Sequence, residues 1–124
     1  MKHQHFDVET AGFYGAYWAC AGGSDCAVIA MIGDDPEDRL ARSAAKWLCG
    51  RGVNVLTMSP AKKDYGHHNY PLERIEAAIL WLKANGNHKI GIAGASTTGT
   101  LALTAAAMFP DVTLTIAMTP SDFV

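Results

Sequence analysis

Lys89-Ile-Gly-Ile-Ala-Gly-Ala-Ser-Thr-Thr-Gly99 is the stretch on which the fold turns. A short apolar run, Lys89 to Ala93, leads into a turn of small residues. An alanine-rich stretch follows at once, with Ala102, Ala105, Ala106 and Ala107 at spacings that suit a helix lying close on a sheet. The pattern predicts a strand, a sharp turn at Ser96 and a helix from Thr97 to Phe109. A serine at such a junction has three advantages as a nucleophile. The turn lifts its hydroxyl clear of the sheet, the helix N-terminus favours developing negative charge, and the next backbone N–H faces a reacting carbonyl oxygen. Strand and helix approach closely there, which demands small flanking residues. Gly94 meets that demand two residues before the serine. Thr98 stands two residues after it, where the G-x-S-x-G pattern has its second glycine, and the glycine falls one further on, at Gly99.

The segments upstream alternate in the same way. Phe13 to Cys20 and Cys26 to Ile32 read as strands separated by the turn cluster Ala21 to Asp25. Asp35 offers an N-cap with Pro36 in the first helical position, and Leu40, Ala44, Trp47 and Leu48 form the apolar stripe of a helix that ends at Gly50. Val53 to Met58 is the next strand. A polar loop with Asp64, Gly66, His67, His68 and Asn69 leads to a second helix begun by Pro71. Its face is Leu72, Ile75, Ile79 and Leu82, and Asn85-Gly86 closes it. Val112 to Met118 is a last strand, with Val112, Leu114 and Ile116 on one side, Thr113, Thr115 and Ala117 on the other, and no charge, bulge or proline to guard its edge. Strand and helix in alternation define an α/β class: a three-layer α/β/α arrangement on a mostly parallel sheet, in one domain spanning residues 1–124. Ligands of such sheets bind beyond the carboxyl ends of the strands. That edge gathers the Gly33-Asp34-Asp35 loop, the His67-His68 loop, Ser96 and the Thr119 to Asp122 tail.

Composition removes several function classes. The chain has 124 residues, 49% of them hydrophobic and 18% charged, with a net charge of −2. Its ten basic residues are scattered, which leaves no footprint for nucleic acid. No apolar run approaches bilayer length and the first ten residues lack a signal-peptide core, so no membrane partner and a cytoplasmic location are expected. Cys20, Cys26 and Cys49 form no C-x-x-C pair and have no histidine at ligand spacing. They are read as buried reduced thiols, with no metal and no cofactor. Gly94-x-x-x-x-Gly99 has the glycines of a phosphate loop, but Thr100 replaces its lysine and Leu101 its magnesium-binding hydroxyl, which argues against nucleotide hydrolysis. Asp34, Asp35, Glu37 and Asp38 are read as carboxylates that complement a helix dipole. His67, His68 and Asp122 are read as solvated loop residues, and His3, His5 and His88 as surface residues. Trp18, Trp47 and Trp81 are assigned to packing.

The run from Val28 to Gly33, the helix to Leu48, Gly52-Val-Asn-Val-Leu56, the Tyr70 to Leu82 helix and the Lys89 to Leu103 turn together resemble the catalytic domain of α/β hydrolases. More narrowly they resemble the C-terminal domain shared by acyl-CoA thioesterases and bile acid-CoA:amino acid N-acyltransferases, relatives of the dienelactone hydrolases. The resemblance begins near Phe13. It implies attack by a serine on an ester or acyl-CoA thioester through an acyl-enzyme, with Ser96 as nucleophile and backbone N–H groups of Thr97 and Asp34 as the oxyanion hole. It also implies an acid and a histidine after the nucleophile, and no histidine follows His88. Without a base a serine hydroxyl is a poor nucleophile. The chain is therefore expected to be the N-terminal part of a C-terminally incomplete α/β-hydrolase domain, able to self-associate through the 112–118 edge strand. The rival reading is a non-catalytic fragment or interaction protein with a relic elbow. The resemblance further implies that the Val53 to Met58 strand separates the two strands before it, placing Cys20 and Cys26 too far apart for a disulfide.

Overall fold

The computed structural model describes residues 3–32, 35–58, 71–95 and 97–118. In chain order the elements are β1 (Gln4–Phe6), α1 (Val8–Ala11), β2 (Gly15–Trp18), β3 (Cys26–Met31), α2 (Arg39–Cys49), β4 (Asn54–Met58), α3 (Leu72–Ala84), β5 (Lys89–Ala95), α4 (Thr97–Met108) and β6 (Val112–Met118). The strands form one sheet in the order β1-β2-β4-β3-β5-β6. β4 lies between β2 and β3, as the hydrolase resemblance requires, and Cys20 and Cys26 are free thiols. The pairings of β3 with β4, β3 with β5 and β5 with β6 are parallel, while β1 and β2 run antiparallel to their neighbours.

Alternation along β3 assigns the two faces. Ala27, Ile29 and Met31 enter a core with Ile90 and Ile92 of β5, covered by Ile75, Ile79 and Leu82 of α3 and by Ala102 and Ala105 of α4. Ala30 faces the opposite way with Ala16, Trp18 and Val55, under Ala45 and Leu48 of α2. The α3 stripe is as the sequence predicts, and Gly86 closes that helix at φ 89°, a left-handed value that suits glycine. Beneath this end, Asn87 and Asn54 are buried and satisfied. Asn54 Nδ2 donates to Asn87 Oδ1 at 2.9 Å and Asn54 Oδ1 accepts from the Cys20 N–H, while Asn87 Nδ2 reaches the Leu82 carbonyl.

α2 departs from expectation twice. Its N-cap is Asp38 rather than Asp35: Asp38 Oδ1 accepts from the Ala41 N–H at 2.9 Å and Oδ2 from the Asp35 N–H at 3.1 Å. Asp35 instead accepts from the Glu37 N–H two residues on, which makes residues 35–38 a turn ahead of the helix. The buried face is Ala41 and Ala45, whereas Leu40 and Trp47 are 61% and 57% exposed. Alanines seat the helix close to Ala30 and Val55, and that rotation sends the large side chains outward. Trp47 is thus a surface residue, with the Arg51 guanidinium 3.7 Å from its ring centre. Trp18 and Trp81 do pack inward, Trp81 edge-on to Phe6 and Tyr17.

β6 departs as well. Ile90 pairs with Val112, but Gly91 pairs with Leu114, so one extra residue, a bulge, interrupts the strand after Val112. Val112 stays in the core facing α4, whereas Leu114 and Ile116 pair with Gly91 and Ala93 and turn to the other face, 56% and 45% exposed. Thr115, paired with Ile92, takes the α4 side. The expected single apolar side from Val112 to Ile116 is replaced by a change of face within the strand.

Two further elements precede the predicted pattern. β1 adds an antiparallel edge to β2, and α1 is a single turn capped by Asp7 and closed by Gly12 at φ 83°. A Cβ at Gly12 would also lie 3.2 Å from Ala77 of α3.

Candidate functional site

Position 96 is framed by what surrounds it. β5 ends at Ala95 and α4 begins at Thr97, which leaves a single residue to make the junction. The register places Gly94 between Met31 of β3 and Ala117 of β6, in the middle of the parallel part of the sheet and at its carboxyl edge. α4 has 12 residues, and its first backbone N–H groups, beginning with Thr97, have no intrahelical acceptor by the geometry of a helix end. Gly91 lies close against β6: a Cβ there would be 3.3 Å from the Leu114 carbonyl oxygen. Ser96 itself, its conformation included, lies outside the described residues, as do Asp34, His67, His68 and Asp122.

The turn from Asp35 to Asp38, next to the Asp34 position, is braced at each of its residues. The Thr57 hydroxyl of β4 donates to the Pro36 carbonyl at 2.6 Å and accepts from Trp18 Nε1 at 3.0 Å. Tyr14 donates its hydroxyl to Asp35, 3.2 Å away, and Arg42 Nε donates to the Glu37 carbonyl at 2.7 Å. The Glu37 carboxylate bonds His3 Nε2 through one oxygen and His5 Nδ1 through the other, the second at 2.7 Å. Burial acts to raise the Glu37 pKa, but the bonds to His3 and then to His5 outweigh it and hold the carboxyl below its ordinary value. His3 also stacks on Trp18 with ring centres 4.1 Å apart.

Sequence reasoning assigned His3 and His5 to the surface. His5 is exposed as expected, its side chain 44% accessible, whereas His3 is only 21% exposed, and both are tied to the turn through Glu37. His88 is exposed as expected. Of the acidic cluster, Asp38 serves the helix start as foreseen, while Asp35 and Glu37 hold the turn to β1 and to the segment before β2. The one local signal was the spacing of His3 and His5, two apart and so on one face of a strand. Of the thiols, Cys20 is buried, whereas Cys26 and Cys49 are only partly so. Burial, reinforced by Cys20 nearby, pushes the Cys49 thiol pKa up, which keeps it protonated and unreactive at neutral pH. Among the described residues no group of three or more His, Cys, Asp or Glu is arranged to hold a metal ion, and no helix is long and apolar enough to cross a membrane.

The mixed six-stranded sheet with its covering helices matches part of the α/β-hydrolase fold. Among solved structures it is similar to the α/β hydrolase GrgF from Penicillium sp. sh18, with 24% identity and a TM-score of 0.73 over 96% of this chain and 45% of that one. It is similar also to a cold-adapted esterase from an Arctic intertidal metagenomic library, solved as a PEG-bound complex, with 20% identity and a TM-score of 0.73 over 93% of this chain and 59% of that one. The chain thus spans about half the length of these neighbours. No family model and no curated protein matches the sequence.

Proposed function

We propose that this chain carries the nucleophile of a serine acyl hydrolase or acyltransferase, with Ser96 attacking the carbonyl of a small-molecule ester or acyl-CoA thioester. One observation carries this reading: a strand ending at Ala95 and a helix starting at Thr97 on the carboxyl edge of a hydrolase-type sheet. In the proposed reaction the Ser96 oxygen bonds to the acyl carbon, and the carbonyl electron pair moves onto oxygen. Backbone N–H groups of Thr97 and Asp34 receive that oxyanion. Collapse expels the alcohol or thiol, which takes the serine proton by way of a base, and water or an amine then releases the acyl group by the reverse sequence. The braced turn from Asp35 to Asp38 supports this assignment, because an oxyanion donor must be held before charge develops. The esterase among the structural neighbours supports an ester substrate. The narrower thioesterase or acyltransferase reading rests on the sequence resemblance alone.

The base and acid are proposed to come from polypeptide beyond these 124 residues, in the part of the fold that the neighbours possess and this chain does not span. The test is a fluorophosphonate probe together with a panel of aryl esters and acyl-CoA thioesters, applied to the 124-residue chain, to its Ser96→Ala variant and to a version extended by any downstream coding sequence. Slow or no turnover by the chain and turnover by the extended protein, abolished in Ser96→Ala, is the expected outcome. Turnover indifferent to Ser96→Ala would remove this serine from the mechanism. Vigorous turnover by the 124 residues themselves would show that the base lies within them and direct attention to His67 and His68.

A further inference from the structure

The outer face of α2 combines charge and apolarity in a way that neither packing nor the Ser96 reading uses. Residues 39–51 hold four of the ten basic residues of the chain, Arg39, Arg42, Lys46 and Arg51, and none of its twelve acidic ones. The remainder of the chain is strongly acidic by contrast. Ala41 and Ala45 are buried, so the opposite side of the helix looks outward. Leu40 and Trp47 are seven residues apart and stand on nearly one line along that side, as do Arg39 and Lys46 on the adjacent line. Arg51 sits over the Trp47 ring. Arg42 is turned elsewhere, toward the Glu37 carbonyl and the Trp18 ring. The acidic residues at the start of the helix are already engaged, Asp38 in the cap and Glu37 by the two histidines.

We infer that this face is a docking surface for an anionic phospholipid layer. A helix with large apolar side chains on its solvent side, flanked by cations, lies in the plane of a membrane interface: apolar groups enter the acyl boundary while the cations meet lipid phosphates. Tryptophan favours that boundary because its ring is apolar and its N–H is polar. The face is a convex helix ridge, suited to a deformable layer. An acidic polypeptide or a nucleic acid would match the cations, but would offer no apolar phase to Leu40, and Arg51 already occupies a face of Trp47. The expectation of no membrane partner rested on the lack of a spanning segment, which surface contact does not need. This inference is independent of the role of Ser96.

Cosedimentation of the 124-residue chain with phosphatidylcholine vesicles, with and without phosphatidylserine, tests it, alongside the tryptophan emission spectrum. Binding is expected only with phosphatidylserine, weakened by added salt and by about tenfold or more in the Arg39→Glu/Lys46→Glu variant. The emission should shift to the blue on binding, and Trp47→Phe should abolish the shift while retaining most of the binding. Circular dichroism melts of the variants establish that they are folded. Failure to bind either vesicle would overturn the inference, as would phosphatidylserine binding that ignores the charge reversal. Capture of polyglutamate or duplex DNA through the same cations, without vesicle binding, would overturn it in favour of an acidic polymer.

Discussion

Glu37 shows how one side chain can tie separate parts of the chain together. Its partners His3 and His5 lie 34 and 32 residues away in sequence, and its carboxylate is held ionised against the cost of burial. A folded-state pKa below the unfolded one means that the ionised form is favoured by folding. The associated stability is present above the unfolded pKa and is lost as pH falls through the folded value. Glu37→Gln is therefore expected to unfold more readily than the parent at neutral pH, with the difference shrinking as pH drops below about 4.3. Urea unfolding of both proteins across that range measures it, and a difference constant with pH would show that the carboxylate charge is not what holds the turn. Contacts of such long sequence separation are also why this brace was not legible beforehand. Nothing near Glu37 in the sequence distinguishes it from the other carboxylates of a helix start, whereas the junction between β5 and α4 was legible because its cues, apolar run, small turn and alanines, are all local.

Among the elements, α3 and α2 make an instructive contrast. α3 could be read directly because Pro71, the Leu72-Ile75-Ile79-Leu82 stripe and Asn85-Gly86 agree with one another. In α2 the largest apolar residues fall at helical spacing too, but the helix packs through Ala41 and Ala45, which a hydrophobic stripe drawn through leucine and tryptophan passes over. Inward alanines leave no room for growth. Ala45→Leu is expected to cost about 1–3 kcal/mol by overpacking against Ala30 and Val55. Leu40→Ser on the outer face should change stability by no more than about 0.5 kcal/mol. Thermal or urea unfolding decides between the two faces, and a reversed order of effects would restore the stripe first drawn. β1 and α1, at three and four residues, are too short to show a period at all. They are fixed by what they touch.

For the molecule as a whole, the order β1-β2-β4-β3-β5-β6 leaves β6 at one edge of the described sheet, with Leu114 and Ile116 on the face that α2 covers only farther along. The bulge after Val112 guards only the start of this edge, and the run beyond it from Leu114 carries no charge or proline, so it pairs readily with another strand. We expect the isolated 124-residue chain to self-associate there, seen by light scattering as a mass that rises with concentration, and Leu114→Lys to reduce the effect. A concentration-independent monomer would refute this. The change of face at the start of β6 has a separate consequence, for how the strand bears a change of length. β3 is regular, so removing a single residue such as Val28 would exchange its inward and outward sets and turn Ile29 or Met31 out of the core. β6 carries one residue more than its partner needs. Loss of Thr113 leaves Leu114 opposite Gly91 and Thr115 opposite Ile92, at the expense of a 3.4 Å bond from the Thr113 hydroxyl to the Ile90 carbonyl. One strand of the sheet thus holds a spare residue, and a deletion that would scramble its neighbours passes through it with every later side chain still on its own side.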